Sequence, residues 1–166
     1  MGMRYDEDVY IKGTATITGG LNAPAGCITD ANIEAEAGVD SEKLEHQHQP
    51  GYAQESATNA ADESRVIFVA KGAGTIVSFV AGNVVTAIGD STCTVDLKKN
   101  GTTVLSGAVS LSAGSPVAYG KTAGTVSVTS YAAGDVISVT IDATAGTGTL
   151  AKGIFCMATL REAANA

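Results

Sequence analysis

The chain has 166 residues, enough for one domain that buries most of the surface its unfolded form exposes. Apolar residues make up 45% and aromatics only 5%, with no Trp, so a core must come from Val, Ile, Leu and Ala, and aromatic ligand platforms are scarce. A formal charge of -7, from 17 acids against 10 bases, argues against a phosphate-tracking surface, and no run nears the ~20 apolar residues that span a bilayer, so neither nucleic acid nor membrane is expected as a partner.

The chain opens Met-Gly-Met-Arg-Tyr-Asp-Glu-Asp, turning acidic where a signal peptide needs a basic segment and then an apolar run. Residues 1–64 read as an extended arm. Val9 to Ile17 is strand-forming and Gly19-Gly20 ends it; Leu21 to Gly26 is a loop. Thr29 to Ile33 and Val39 to Leu44 each place a capping-type residue before a few helix-tolerant ones and predict single helical turns. The arm's apolar residues are too few and scattered for a core of their own, so its order is expected to come from lying on another surface.

Residues 65–162 read as an antiparallel β-sandwich of jelly-roll type, with 163–166 a tail. Thr92 to Lys99, Asn100-Gly101 and Thr102 to Ser106 predict a hairpin, because both central residues of a type I′ turn need positive φ. Two-residue closure sets Leu97 opposite Val104 and Asp96 opposite Leu105, with Cys93, Val95 and Leu97 facing in. Val136 to Asp142 predicts a one-sided strand with Ile137, Val139 and Ile141 inward. Further strands are expected at 66–70, 75–80, 84–88, 109–112, 117–119, 125–130 and 153–160. Short strands at this density with Gly-rich turns define the all-β class.

Three of these segments, at 66–70, 76–80 and 154–158, are apolar on both faces. One face fits the core and the other needs cover, either from loops and the arm or from another copy. The expected copy–copy interface uses the first and last strands through Ile67, Val69, Val77, Phe79, Phe155 and Met157.

No catalytic set can be assembled, and the chain reads as non-enzymatic. Cys27, Cys93 and Cys156 lack a metal or disulfide-framework spacing and read as reduced small hydrophobes. His46 and His48 are the only two imidazoles; on a strand they share a side, either as solvated polar residues or as two of six ligands on a three-fold axis. Asp90, Asp96, Asp135 and Asp142 sit at predicted turns or solvent faces rather than across a cleft. Gly72-Ala73-Gly74 and the stretch from Ala145 to Leu150 lack the Gly-Lys-Ser/Thr ending and following helix of a phosphate loop. No cofactor is expected.

Two segments resemble head decoration and head-fibre proteins of tailed phages. One runs from Pro24-Ala25-Gly26-Cys27-Ile28-Thr29-Asp30-Ala31-Asn32-Ile33 through Lys43-Leu44-Glu45-His46-Gln47-His48-Gln49 to Tyr52-Ala53-Gln54. The other is Val95-Asp96-Leu97-Lys98-Lys99-Asn100-Gly101 with Val104-Leu105, Ala133-Gly134-Asp135-Val136 and the stretch from Ala143 to Phe155. The resemblance implies a homotrimer on the outer surface of a phage head, assembled in the host cytoplasm. The arm would grip the major capsid protein through Tyr5, Val9, Tyr10, Ile11, Leu21, Ile28, Ile33 and Leu44, and the β-domain would project outward. A head-fibre or tail-fibre tip that binds a host glycan is the alternative.

Overall fold

The computed structural model describes residues 46–163. The strand and helical turns expected in the arm, and the eight capsid-facing residues named above, lie outside this range. The described chain is all β: β1 (His46–His48), β2 (Gly51–Ala53), β3 (Glu63–Val69), β4 (Gly74–Val85), β5 (Thr92–Lys99), β6 (Thr102–Thr103), β7 (Val109–Ser110), β8 (Lys121–Gly124), β9 (Ser130–Tyr131), β10 (Val136–Thr144) and β11 (Lys152–Glu162). Every pairing between them is antiparallel.

Two sheets form. In the first, β1 and β2 lie along one side of β11, β11 pairs β4, and β8 and β9 lie along the far side of β4; in the second, β3, β10 and β5 are followed by β6 and β7. Counting β1 with β2, β6 with β7 and β8 with β9 as interrupted strands reduces 11 strands by 3, to 8. Numbered in chain order, those strands run 1-8-3-6 in one sheet and 2-7-4-5 in the other, which is jelly-roll connectivity. Because β1 and β2 pair with β11, the sandwich reaches back to His46, and the boundary expected at Ser64 moves toward the N-terminus.

Alternation fills the space between the sheets. Ile137, Val139 and Ile141 on β10 and Cys93, Val95 and Leu97 on β5 are all buried, facing Phe79, Ile154, Ala158 and Leu160 of the first sheet. Each such aliphatic or aromatic side chain contributes roughly 1.5–3 kcal/mol of burial, which is how a chain without Trp holds two sheets together.

The hairpin forms as its Asn-Gly pair demands, with Asn100 at φ 50° and Gly101 at φ 81°. Lys99 pairs Thr102, Lys98 pairs Thr103, and the Val104 amide donates to the Leu97 carbonyl at 2.9 Å. The expected Asp96–Leu105 rung is absent. Val104 and Leu105 are both buried, and two consecutive inward residues cannot continue one strand, so Leu105 bridges Val126 instead. The Asp96 carboxylate accepts from the Thr103 hydroxyl at 2.7 Å.

Two bulges correct the reading of the doubly apolar segments. On β4, Ser78 pairs Thr159 and Ile76 pairs Leu160, leaving Val77 as the extra residue. Ile76 and Phe79 therefore both turn inward, and Phe79, expected at an interface, is 0% exposed and belongs to the core. On β3, Phe68 pairs Ile137 and Val66 pairs Ser138, so Ile67 is the extra residue. Ile67 and Phe68 pack against the core, while Val66 and Val69 are exposed at 61% and 57%.

Other expected strands shift. Residues 75–80 and 84–85 are one strand, β4, because Gly82 lies beneath the Phe155 ring, where an added Cβ would collide with it. Residues 117–119 and most of 125–130 are loop, and β8 falls between them. The segment expected at 109–112 keeps only Val109–Ser110.

Candidate interaction surface

Both histidines and two of the three cysteines fall among the described residues, and Cys27 lies outside them. Cys93 and Cys156 are buried, and desolvation pushes both thiols up to about 11, so they stay protonated at neutral pH. His48 Nε2 stands 3.2 Å from Glu162 Oε2, and its ring lies 5.1 Å from that of Phe68 and 6.4 Å from that of His46. His46 pairs Glu162 and His48 pairs Leu160 in register, so the two histidines lie along the C-terminal end of β11. Among the described residues, no group of three or more His, Cys, Asp or Glu side chains is arranged to hold a metal ion.

An open cleft of about 330 Å³ lies beside β2 and the loop that follows it, with Tyr52, Gln54 and Glu63 in its wall. The Tyr52 hydroxyl donates to Glu63 Oε2; Gln54 Nε2 donates to the same oxygen at 3.2 Å, and Arg65 Nε to Oε1 at 2.6 Å. The bond from Tyr52 is the main reason that the Glu63 carboxyl titrates below its usual range and the phenol above its own. A carboxylate holding three donors is a fastener between β2 of one sheet and β3 of the other. It is not poised as a general base, which needs a pKa near the working pH.

The outer faces of the two sheets differ sharply in composition. Across β10 and β5 of the second sheet, the outward rungs bring together Asp142 with Thr94, Thr140 with Asp96 and Ser138 with Lys98; on β3 the last of these rungs continues to the exposed Val66. Across the first, one rung runs Ala53, Phe155, Gly82, Lys121 and the next Gly51, Met157, Val80, Ala123. Met157 is 39% exposed and the bulged Val77 is 49% exposed. Lys121 at the β8 edge and Arg161 near the end of β11 are the charges on this face, and no Asp or Glu occupies its outward strand positions. Of the residues expected at a copy–copy interface, Val77, Phe155 and Met157 share this face. Ile67 and Val69 lie on β3 of the other sheet, so the six do not form one surface.

A second apolar feature occupies one end of the sandwich, where the loops after β2, β4, β7 and β10 are tied together. Ile88 bridges Thr149, the Gly114 amide donates to Ala87, and Asn59 bridges Lys152. Asp90 accepts from the Thr147 amide at 2.7 Å and from its hydroxyl at 3.0 Å, which holds that carboxyl below its usual range. Tyr119 takes a positive φ of 59° and is 77% exposed, its amide fixed to the Asn83 carbonyl at 2.9 Å.

Sequence reasoning found neither the Tyr52–Glu63–Arg65 fastener nor the two rungs. The fastener joins positions with no periodic relation, and the rungs become visible only once register pairs β2, β11, β4 and β8. No protein-family model matches the chain, and no curated protein matches it.

Proposed function

We propose that the chain is a virion structural protein, a capsid decoration or cement protein that binds the outer surface of a phage head as a homotrimer and stabilises it. The observation that supports the reading is the difference between the outer faces: β10 and β5 present mostly polar residues, while the first sheet presents Phe155, Met157, Val80 and Ala123, a patch of the kind that subunits cover on assembly. The resemblance of the arm and hairpin segments to head decoration and head-fibre proteins supplies the particle. In this reading the arm grips the major capsid protein, and binding to the assembled state across neighbouring subunits stabilises it by mass action.

The test is a truncation that respects the β1 pairing. Removal of residues 1–44 keeps the sandwich from His46 onward and should abolish binding to capsids that lack the protein, while the full chain binds and raises their dissociation temperature. Undiminished binding by the truncated chain contradicts the role given to the arm.

A head-fibre or tail-fibre tip that adheres to a host glycan is the second reading, favoured by the exposure of Tyr119, Val117 and Ile88. It requires saturable binding of the isolated β-domain to host cells, lost in Tyr119→Ala.

A further inference from the structure

We infer that Asn100 and Gly101 form a covalent modification site, at which the Gly101 backbone nitrogen displaces ammonia from the Asn100 carboxamide once the hairpin tip leaves β10, and that the product cannot dock back. The inference concerns the β-domain alone and stands apart from the capsid reading.

The reactive pair is supplied by the sequence and presented by the turn. Asn100 alone among the asparagines of the chain is followed by glycine, whose missing side chain leaves the backbone nitrogen unhindered. Both residues are exposed, and an added Cβ at Gly101 would meet nothing within 4 Å. In the reaction the Gly101 nitrogen gives its proton to solvent base and bonds to Asn100 Cγ; the Cγ–Nδ2 bond breaks, and Nδ2 takes up a proton and leaves as ammonia. Water then opens the imide ring. Attack at Cγ gives aspartate, and attack at the main-chain carbonyl gives isoaspartate, with the chain running through Cγ. The net change is asparagine and water to a carboxylic acid and ammonia, with no oxidant or reductant.

The fold holds the carboxamide away from that reaction. Asn100 Nδ2 donates to Asp135 Oδ1 at 2.7 Å, Asn100 Oδ1 accepts from the Val136 amide at 2.9 Å, and the Asn100 amide donates to the Val136 carbonyl at 2.8 Å. Asp135 is itself fixed, its Oδ2 accepting from the Ala132 amide at 2.8 Å with Lys99 Nζ 3.9 Å away. With its oxygen and its nitrogen both bonded at the start of β10, the carboxamide cannot swing onto the Gly101 nitrogen until these bonds open. The reaction therefore runs through local opening of the hairpin tip, at a rate scaled by the fraction of time it spends open.

The same bonds make the change one-way. Aspartate at this position replaces the donor Nδ2 with a carboxylate oxygen facing Asp135 Oδ1, so a hydrogen bond becomes a contact between two anions. The Asp135 carboxyl titrates below its usual range and is ionised at neutral pH, so it brings no proton to share. Isoaspartate carries the same charge and adds one backbone carbon, about 1.5 Å, to a turn that closes in two residues between Lys99 and Thr102. The closure that sets the hairpin register is then lost.

The full-length chain is to be held at mildly alkaline pH, in native buffer and in urea, and followed by mass spectrometry of the tryptic peptide 100–121, in which Asn100 is the only side-chain amide. The mass gain of amide to acid reports conversion, and a zero-time digest sets the background. The expected result is conversion in urea that is at least about tenfold slower in the native wild-type chain. Asp135→Ala, shown to be folded by circular dichroism, should convert at least about threefold faster than wild type in native buffer; the wild-type comparison stands even if this variant does not fold. Asn100→Asp should be less stable than Asn100→Gly at neutral pH, with the difference shrinking in acid as a proton comes to bridge the two carboxylates. No conversion in urea overturns the site. Native conversion as fast as in urea, or a folded Asp135→Ala no faster than wild type, overturns the protection by docking. Asn100→Asp as stable as wild type at neutral pH overturns the one-way step.

Discussion

Ile76 and Phe79 are three residues apart on one strand yet point to the same side of the sheet, because Val77 between them is bulged out of the pairing with β11. The bulge gives the core its largest fully buried side chain and gives the outer face a valine. Phe79→Ala should therefore cost about 3–5 kcal/mol, the range for emptying a buried phenylalanine. Val77→Ser should cost less than about 1 kcal/mol in folding. Urea unfolding at matched protein concentration checks both, and equal losses would contradict the assigned orientations.

Asn100 does more than turn the hairpin. Its Nδ2 donates to Asp135 Oδ1 at 2.7 Å, and its Oδ1 accepts from the Val136 amide at 2.9 Å, so the turn is fastened to the start of β10. Asn100→Gly keeps the positive φ and loses the side-chain bonds. It should lower stability by about 1–2 kcal/mol, whereas a residue serving the turn alone would tolerate glycine without loss.

Acid should destabilise the fold through Asp90 and Asp135. Hydrogen bonds from Thr147 to the first, and from Ala132 and Asn100 to the second, hold both carboxyls below the ordinary 3.8. Groups whose folded pKa is depressed contribute stability that is present above the unfolded value and is lost as pH falls through the folded one. Thermal unfolding should therefore be insensitive to these groups near neutrality and fall below pH ~4. In Asp135→Asn and Asp90→Asn the fall should be shallower. An unchanged acid profile in both variants would remove the assignment.

Cys93 and Cys156 should resist alkylation at pH 8 in the native protein and react in urea, since burial keeps both thiols protonated and out of reach. Peptide mapping by mass spectrometry reads each cysteine separately. Rapid native labelling of either would contradict its burial.

The parts of the fold legible in the sequence are those where one local rule decides the outcome. Asn100-Gly101 set the hairpin, and Ile137, Val139 and Ile141 alternate with polar neighbours on a strand that is solvated on one side. The bulges were hidden because a single extra residue leaves no mark on a run such as Ile76-Val77-Ser78-Phe79, apolar in either register. β8 has almost no strand-forming side chains in Lys121-Thr122-Ala123-Gly124 and exists because β4 offers it a free edge. β1 and β2 are polar and Gly-bearing and are likewise made by pairing with β11. The need for cover on Val77, Phe155 and Met157 could be read from composition. Their separation from Ile67 and Val69 could not, because it depends on which sheet each strand joins.

Electron cryo-microscopy of phage heads from cells that express this chain tests the proposed capsid role most directly. The account predicts density for the jelly roll in repeated copies on the outer surface of the head, with the segment preceding His46 running onto the major capsid protein. Density confined to the tail, or particles that lack the chain altogether, would contradict it.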